Sequence, residues 1–194
     1  MLQNEYFVME RENNDQYPLF AWDQTENVYN LGRPVAYTEP LKFCLDEPLS
    51  RKFEWADYHS LPGPVISKRI LDALLPLDLY GVQFVPAKVS NPYDKELRDY
   101  WFVHVWNRIA CLDMEKSKLE LYDDGDVAGI HWMVLNEEIL SMFEPHKRMI
   151  FELEEDCTVH LVHKIVKEAI ESVHPKGVRF FKAREWGSDR VFEP

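Results

Sequence analysis

The feature of this sequence that most constrains its fold is an internal repeat. Residues 64–88 and 160–184 align without a gap at a spacing of 96 residues. A spacing this long lies outside the range of solenoid repeats, so it favours two related halves of one fold. The alternative is a chance match, because apolar patterns of this kind recur in unrelated helices and strands. The identical pairs are Lys68/Lys164, Ala73/Ala169, Gly81/Gly177, Val82/Val178, Phe84/Phe180 and Ala87/Ala183.

Each copy carries the same succession of local signals. A short apolar stretch, Val65-Ile66 or Leu161-Val162, predicts a strand, and the apolar residues that follow recur at helical spacing. Ser67 is the predicted N-cap of the first helix. A proline opposes continuation of each helix, and Gly81 or Gly177 then supplies a turn that tolerates unusual backbone angles. The apolar residues after the glycine predict a second strand.

The rest of the chain contributes mainly strands. The aromatic and β-branched segments 100–106, 129–135 and 149–153 each predict one. We therefore predict an α+β fold, a strand-rich mixed domain that contains two related strand–helix–strand halves. Residues 1–60 are predicted to form an N-terminal region of strands and loops packed on the main body, and residues 61–194 the duplicated domain.

The charge balance narrows the class of partner. The chain has 22 basic and 34 acidic residues, which gives a formal charge of −12. Nucleic acids bind basic surfaces, so we expect no nucleic-acid partner. An acidic chain instead suits a cationic protein, whose encounter it accelerates.

Membrane insertion and secretion are not indicated. No apolar run approaches the ~18 residues of a membrane span, and the first residues lack the basic and apolar regions of a secretory signal. Cys44, Cys111 and Cys157 are an odd set without a CxxC motif, as is typical of reduced thiols, although two of them could pair in an oxidising compartment. We expect a cytoplasmic protein with no membrane partner.

In the order of its motifs, this sequence resembles a family of bacterial polymorphic-toxin immunity proteins. That family was formerly a domain of unknown function and is catalogued after a myxobacterial immunity protein. The resemblance covers roughly residues 60–183. Its motifs are an apolar helix entry, a GVqFvp strand, an lD.e.S segment, an iFrl strand and a second GVxF strand. In this sequence they stand at Val65–Ile70, Gly81–Pro86, Cys111–Ser117, Ile150–Leu153 and Gly177–Phe180.

The resemblance implies an immunity protein of interbacterial competition, which binds and neutralises a cognate toxin effector. Inhibition would occlude the toxin's active site or lock its fold, with no chemistry and no cofactor in this chain. The acidity favours a toxin with a basic surface, such as a nuclease. One alternative is an uncharacterised hydrolase-type enzyme that uses acidic residues and a histidine, and another is an accessory binding domain of a larger assembly.

Two acidic clusters and one tryptophan are the candidate toxin-binding residues. Each has a plainer interpretation: a solvated turn, a charged loop, or local packing of the indole. The group at 94–99 (Asp94, Glu96 and Asp99) is a weaker candidate. The candidates are Asp123, Asp124 and Asp126; Glu152, Glu154, Glu155 and Asp156; and Trp186.

No metal or catalytic centre is predicted. His160 and His163 could form a metal pair on one helical face, but zinc needs three or four ligands and no HExxH motif is present. A calcium loop that starts at Asp123 would need Glu at its twelfth position, which is Val134. Cys111 and His104 lack an acidic partner motif that would indicate a nucleophile.

Overall fold

The computed structural model describes residues 1–25, 32–46 and 52–188. The helices in these ranges are α1 (Lys68–Leu74), α2 (Glu137–Met142) and α3 (Lys164–Glu171). The strands are β1 (Tyr6–Arg11), β2 (Phe20–Trp22), β3 (Leu41–Leu45), β4 (Tyr58–His59), β5 (Val65–Ile66), β6 (Val82–Ser90), β7 (Leu97–Val105), β8 (Arg108–Ile109), β9 (Lys118–Leu121), β10 (Val127–Trp132), β11 (Ile150–Leu153), β12 (His160–His163) and β13 (Val178–Lys182). The strand-rich α+β class predicted from the sequence is confirmed.

The strands form two large sheets and a separate hairpin. One sheet has the order β2-β3-β6-β7-β5-β4 and the other has the order β13-β1-β12-β11-β8. Strands β9 and β10 pair only with each other among the described residues. Each large sheet contains one copy of the sequence repeat, so the two predicted strand–helix–strand halves are present.

Both copies place a third, antiparallel strand between their own two strands. In the first copy β7 lies between β5 and β6, and in the second β1 lies between β12 and β13. The strand registers of the two copies are also equivalent. Trp101 of β7 pairs with Ile66 and Pro86. Phe7 of β1 pairs with Val162 and Lys182, which are the repeat equivalents of Ile66 and Pro86.

The duplication extends beyond the segments that align in sequence. Tyr58 of β4 pairs with Ile66, as Ile150 of β11 pairs with Val162, so a fourth strand is also common to both copies. Strand β1 comes from the other end of the chain and completes the second copy. The division into regions 1–60 and 61–194 stays a prediction, and β1 shows that the first region supplies a central strand to the second.

A core shared by the two copies joins their sheets. Helices α1 and α3 contact each other, and their buried side chains occupy equivalent positions of the repeat. Ile70 and Val166 form one such pair, and Leu74 and Ile170 form another. Met9, Tyr58, Ile66, Val103, Val105, Ile150 and Val162 from the two sheets complete this core.

The outer face of each sheet has a core of its own. On the larger sheet it is rich in aromatic rings, among them Phe20, Phe43 and Tyr100. On the five-stranded sheet it is covered by α2 and by the β9–β10 hairpin, whose Ile130 is fully buried. No helix in the described part of the chain is long and apolar enough to cross a membrane.

The predicted cap of α1 is wrong in its chemistry. Ser67 occupies the N-cap position, but its hydroxyl donates to Asp57 Oδ1 at 2.6 Å and makes no bond to a helix amide. At the equivalent position of α3, His163 Nδ1 accepts from the N–H of Ile165 at 3.3 Å. The contact between Ser67 and Asp57 depends on the fold, because Asp57 lies in an earlier loop of the chain. The local sequence pattern around Ser67 does not indicate it.

Two equivalent glycines make the turn from helix to strand. Gly81 has φ +74° and Gly177 has φ +80°, a region that side chains with a Cβ rarely adopt. A Cβ on Gly81 would lie 2.2 Å from Cβ of Asn107, and one on Gly177 would lie 2.6 Å from Cβ of Ala56. Both the backbone angle and the available space therefore require glycine in each copy.

We expect Gly81→Ala and Gly177→Ala each to lower the free energy of unfolding by about 1–3 kcal/mol through backbone strain. Urea denaturation measures the change. Gly129→Ala is the control, because its added Cβ would meet nothing closer than 3.8 Å. Equal stability of the three variants would contradict this account of the turns.

Candidate functional site

The β9–β10 hairpin and its flanking segments carry a large excess of negative charge. Residues 113–138, called here the acidic hairpin surface, contain eight carboxylates and two lysines. This stretch therefore supplies half of the formal charge of −12. Charge concentrated in this way produces a local field that favours cationic partners.

The hairpin tip holds three of the predicted residues in one exposed turn. The N–H of Tyr122 donates to the carbonyl of Asp126 at 2.8 Å, which closes the turn. The N–H of Asp126 donates to Asp124 Oδ1 at 3.2 Å, and Gly125 adopts φ +93°. The predicted turn is confirmed, and Asp123, Asp124 and Asp126 are all exposed.

The same hairpin also exposes large apolar side chains. Leu121 is 51% exposed, Tyr122 63% and Trp132 46%. Met114 and Met142 are also exposed on the segments that flank the hairpin. Exposed aromatic residues next to charge are typical of protein-binding surfaces. None of the sequence motifs indicated these residues, although the run Leu121-Tyr122-Asp123-Asp124 breaks the strand alternation and could have done so.

Side chains on one face of the hairpin pack in the core of the protein. Ile130 is fully buried, and Leu119, its partner across the hairpin, packs on the same core. At the base, Ser117 Oγ accepts from the N–H of Val134 at 3.0 Å and donates to its carbonyl at 3.2 Å. The hairpin therefore presents its exposed side chains from a packed support.

The second acidic cluster does not form one exposed patch. Glu152 lies within β11 and is buried, with Oε2 3.0 Å from Arg108 Nε and Oε1 3.3 Å from His160 Nε2. Glu155 Oε1 accepts from the N–H of Leu112 at 3.1 Å, and burial raises the pKa of this carboxyl. Glu154 is the exposed member of the group.

Asp156 and Trp186 are also engaged within the chain. Asp156 Oδ1 accepts from the N–H and the hydroxyl of Thr158. Trp186 is 4% exposed, and its Nε1 donates to Glu10 Oε1 at 3.2 Å. The sequence left open whether this indole packs locally or is exposed for toxin binding, and the structure shows local packing.

The predicted histidine pair lies on a strand, so the helical face assumed for it is wrong. His160 and His163 are three residues apart in β12, and residues at that spacing point to opposite faces of a sheet. His163 Nε2 lies 3.1 Å from Glu5 Oε2, whereas His160 contacts Glu152. The two histidines therefore have different carboxylate partners. The described residues contain no group of three or more His, Cys, Asp and Glu side chains arranged to hold a metal ion.

Cys111 and His104 are buried structural residues. Burial raises the pKa of the Cys111 thiol well above its usual range, which disfavours a thiolate nucleophile. His104 Nε2 lies 2.8 Å from the carbonyl oxygen of Arg33. Cys111 packs in the core beneath the hairpin, and His104 lies in β7 of the larger sheet.

A cleft of about 280 Å³ lies over the Glu152 network. Arg108, Glu152, Cys157 and His160 line it. His160 has Nδ1 3.2 Å from the carbonyl oxygen of Thr158 and Nε2 beside Glu152, so both ring nitrogens face acceptors. Both ring nitrogens of His160 are therefore engaged by groups within the chain.

We expect Glu152→Gln to lower the free energy of unfolding by about 1–3 kcal/mol, because Arg108 and His160 lose the charge that both face. Glu154→Gln, two residues away at an exposed position, is the control and should stay within about 0.5 kcal/mol of the parent. Urea denaturation at neutral pH compares them. Equal stability of the two variants would show that the contacts of Glu152 with Arg108 and His160 do not stabilise the fold.

One comparison with known proteins found a match. The profile described as "Immunity protein family (Imm11)" matches residues 4–185, which include both copies of the repeat and the acidic hairpin surface. A search of the curated proteins found no match. Because the match covers far more than half of the sequence, the chain belongs to the Imm11 immunity protein family.

Proposed function

We propose that the chain neutralises a cognate toxin effector by binding it through the acidic hairpin surface, with no chemistry of its own. The observation that carries this proposal is the coincidence of charge and apolar exposure at one hairpin. The stretch 113–138 contains eight carboxylates and two lysines, and Leu121, Tyr122 and Trp132 within it are exposed. Membership in an immunity protein family supports a protein partner.

The two kinds of residue have different roles in the proposed complex. Carboxylates at Asp123, Asp124 and Asp126 accelerate the encounter with a basic surface and fix its orientation. Tyr122 and Trp132 exclude water at the contact and slow dissociation, because aromatic anchors carry much of the binding energy of interfaces. The partner is a toxin with a basic surface, such as a nuclease, and inhibition is by occlusion of its active site or by locking of its fold.

The compartment that suits this function is the cytoplasm, where a toxin that enters the cell would meet its inhibitor. All three cysteines are free in the structure, as reduced thiols are in that compartment. We therefore place the protein there as part of the same proposal.

The alternative function, a hydrolase that uses acidic residues and a histidine, would be located in the cleft over Glu152. Cys157 and His160 line that cleft, which is the observation in its favour. Burial raises the pKa of Cys157, and both nitrogens of His160 face acceptors. The hairpin surface is therefore the better-supported site.

Removal of the tip charges tests the proposal. We expect the triple variant Asp123→Asn, Asp124→Asn, Asp126→Asn to associate with the toxin about 10-fold or more slowly, because electrostatic steering is reduced. The toxin tested is the product of the neighbouring gene, co-expressed to assay survival and purified for stopped-flow binding at low and high salt. The variant's rate should also depend less on salt.

A charge-matched variant at a different turn makes this test specific. Asp94→Asn, Glu96→Gln, Asp99→Asn removes the same charge from the turn and start of β7, which also carries exposed Tyr93 and Leu97. The proposal requires the hairpin variant to lose more association rate than this one. A larger loss of association rate in the Asp94/Glu96/Asp99 variant would instead indicate that the β6–β7 turn is the binding surface.

The aromatic contacts give a separate prediction. Tyr122→Ala and Trp132→Ala should each weaken toxin binding by about 2 kcal/mol, mainly through faster dissociation. Their thermal stability should stay close to that of the parent, because both side chains are exposed. Surface plasmon resonance separates the two rate constants. Unchanged dissociation from both variants would exclude these side chains as anchors.

A further inference from the structure

The last described segment of the chain, Trp186–Ser188, lies against the acidic hairpin and is called here the C-terminal clasp. It follows the short 3-10 helix Ala183–Glu185. Trp186 fixes the segment to the body of the protein. The indole packs in the core beneath the hairpin and donates to Glu10 Oε1 of β1 at 3.2 Å.

The next two residues contact the backbone of β10 itself. A Cβ on Gly187 would lie 2.4 Å from the carbonyl oxygen of His131 and 2.9 Å from its carbonyl carbon. These are backbone atoms of the hairpin, which cannot rotate away as a side-chain end can. Ser188 Oγ then accepts a hydrogen bond from the N–H of Ile130 at 3.2 Å.

The hairpin needs such support. Its two strands pair with no strand of either large sheet among the described residues, and a two-stranded hairpin alone is marginally stable in water. The register of the hairpin also shifts twice, between Val127 and Gly129 and between Ile130 and Trp132. The second shift is at the strand segment that the clasp contacts.

We infer that the C-terminal clasp holds the acidic hairpin surface in its binding orientation, with Gly187 and Ser188 as positioning residues. The inference rests on the proposed function, because it concerns the order of the surface assigned there to the toxin. A surface ordered before encounter loses less conformational entropy on binding, so the clasp raises affinity without touching the toxin.

Hydrogen exchange tests the clasp without any partner. In Ser188→Ala we expect the amide of Ile130 to exchange about 5-fold faster, because it loses its hydrogen-bond acceptor. In Gly187→Ala we expect at least 10-fold faster exchange across residues 118–132, because the backbone contact cannot form. Ser172→Ala is the control, since its hydroxyl donates to the carbonyl of Ala169 in α3, on a different element. Unchanged exchange in both clasp variants would overturn the inference.

Neutralisation of the toxin then tests what the clasp does for binding. Gly187→Ala and Ser188→Ala should bind the neighbouring-gene toxin at least 3-fold more weakly than Ser172→Ala. In one outcome, hydrogen exchange of the hairpin becomes faster in the clasp variants but their affinity for the toxin is unchanged, while the Asp123/Asp124/Asp126 variant loses binding. The clasp then has no positioning role, and the inference is overturned. If that acidic variant also binds normally, the proposed surface is wrong, and the exchange data still decide whether the clasp orders the hairpin.

Discussion

The packing of α1 against α3 holds the two halves of the fold together. Both helices have only about two turns, and helices this short are not stable without tertiary contacts. Burial of side chains such as Ile70 and Val166 contributes about 1.5–3 kcal/mol each in the shared core. Because each helix connects two strands of its own sheet, this one core fixes the position of both sheets.

The duplicated unit acts as a scaffold, and the candidate binding surface lies in the segment between its copies. Residues 113–138 follow the last strand of the first copy and precede β11 of the second. They pack on the outer face of the five-stranded sheet, away from the shared core. The hairpin can therefore vary in length and charge without change to the packing of α1 on α3, which suits a surface that must match one particular partner.

Local signals in the sequence were sufficient for the repeat, for the turn at 123–126 and for the fold class, because each depends on neighbouring residues. The role of β1 depends on strands more than 150 residues away, and no linear pattern indicates it. The burial of Glu152 depends in the same way on Arg108, 44 residues earlier. A run of carboxylates is typical of an exposed loop, and only the fold shows that its first member contacts Arg108 and His160.

Contact between the acidic hairpin surface and the toxin can be measured as the hydrogen-exchange footprint of the purified complex. If the hairpin binds the toxin, exchange in the complex becomes slower within residues 113–138, most of all at the tip between β9 and β10, and the cleft over Glu152 exchanges as in the free protein. Protection confined to the cleft or to the β6–β7 turn, with the hairpin exchanging as in the free protein, would contradict this contact.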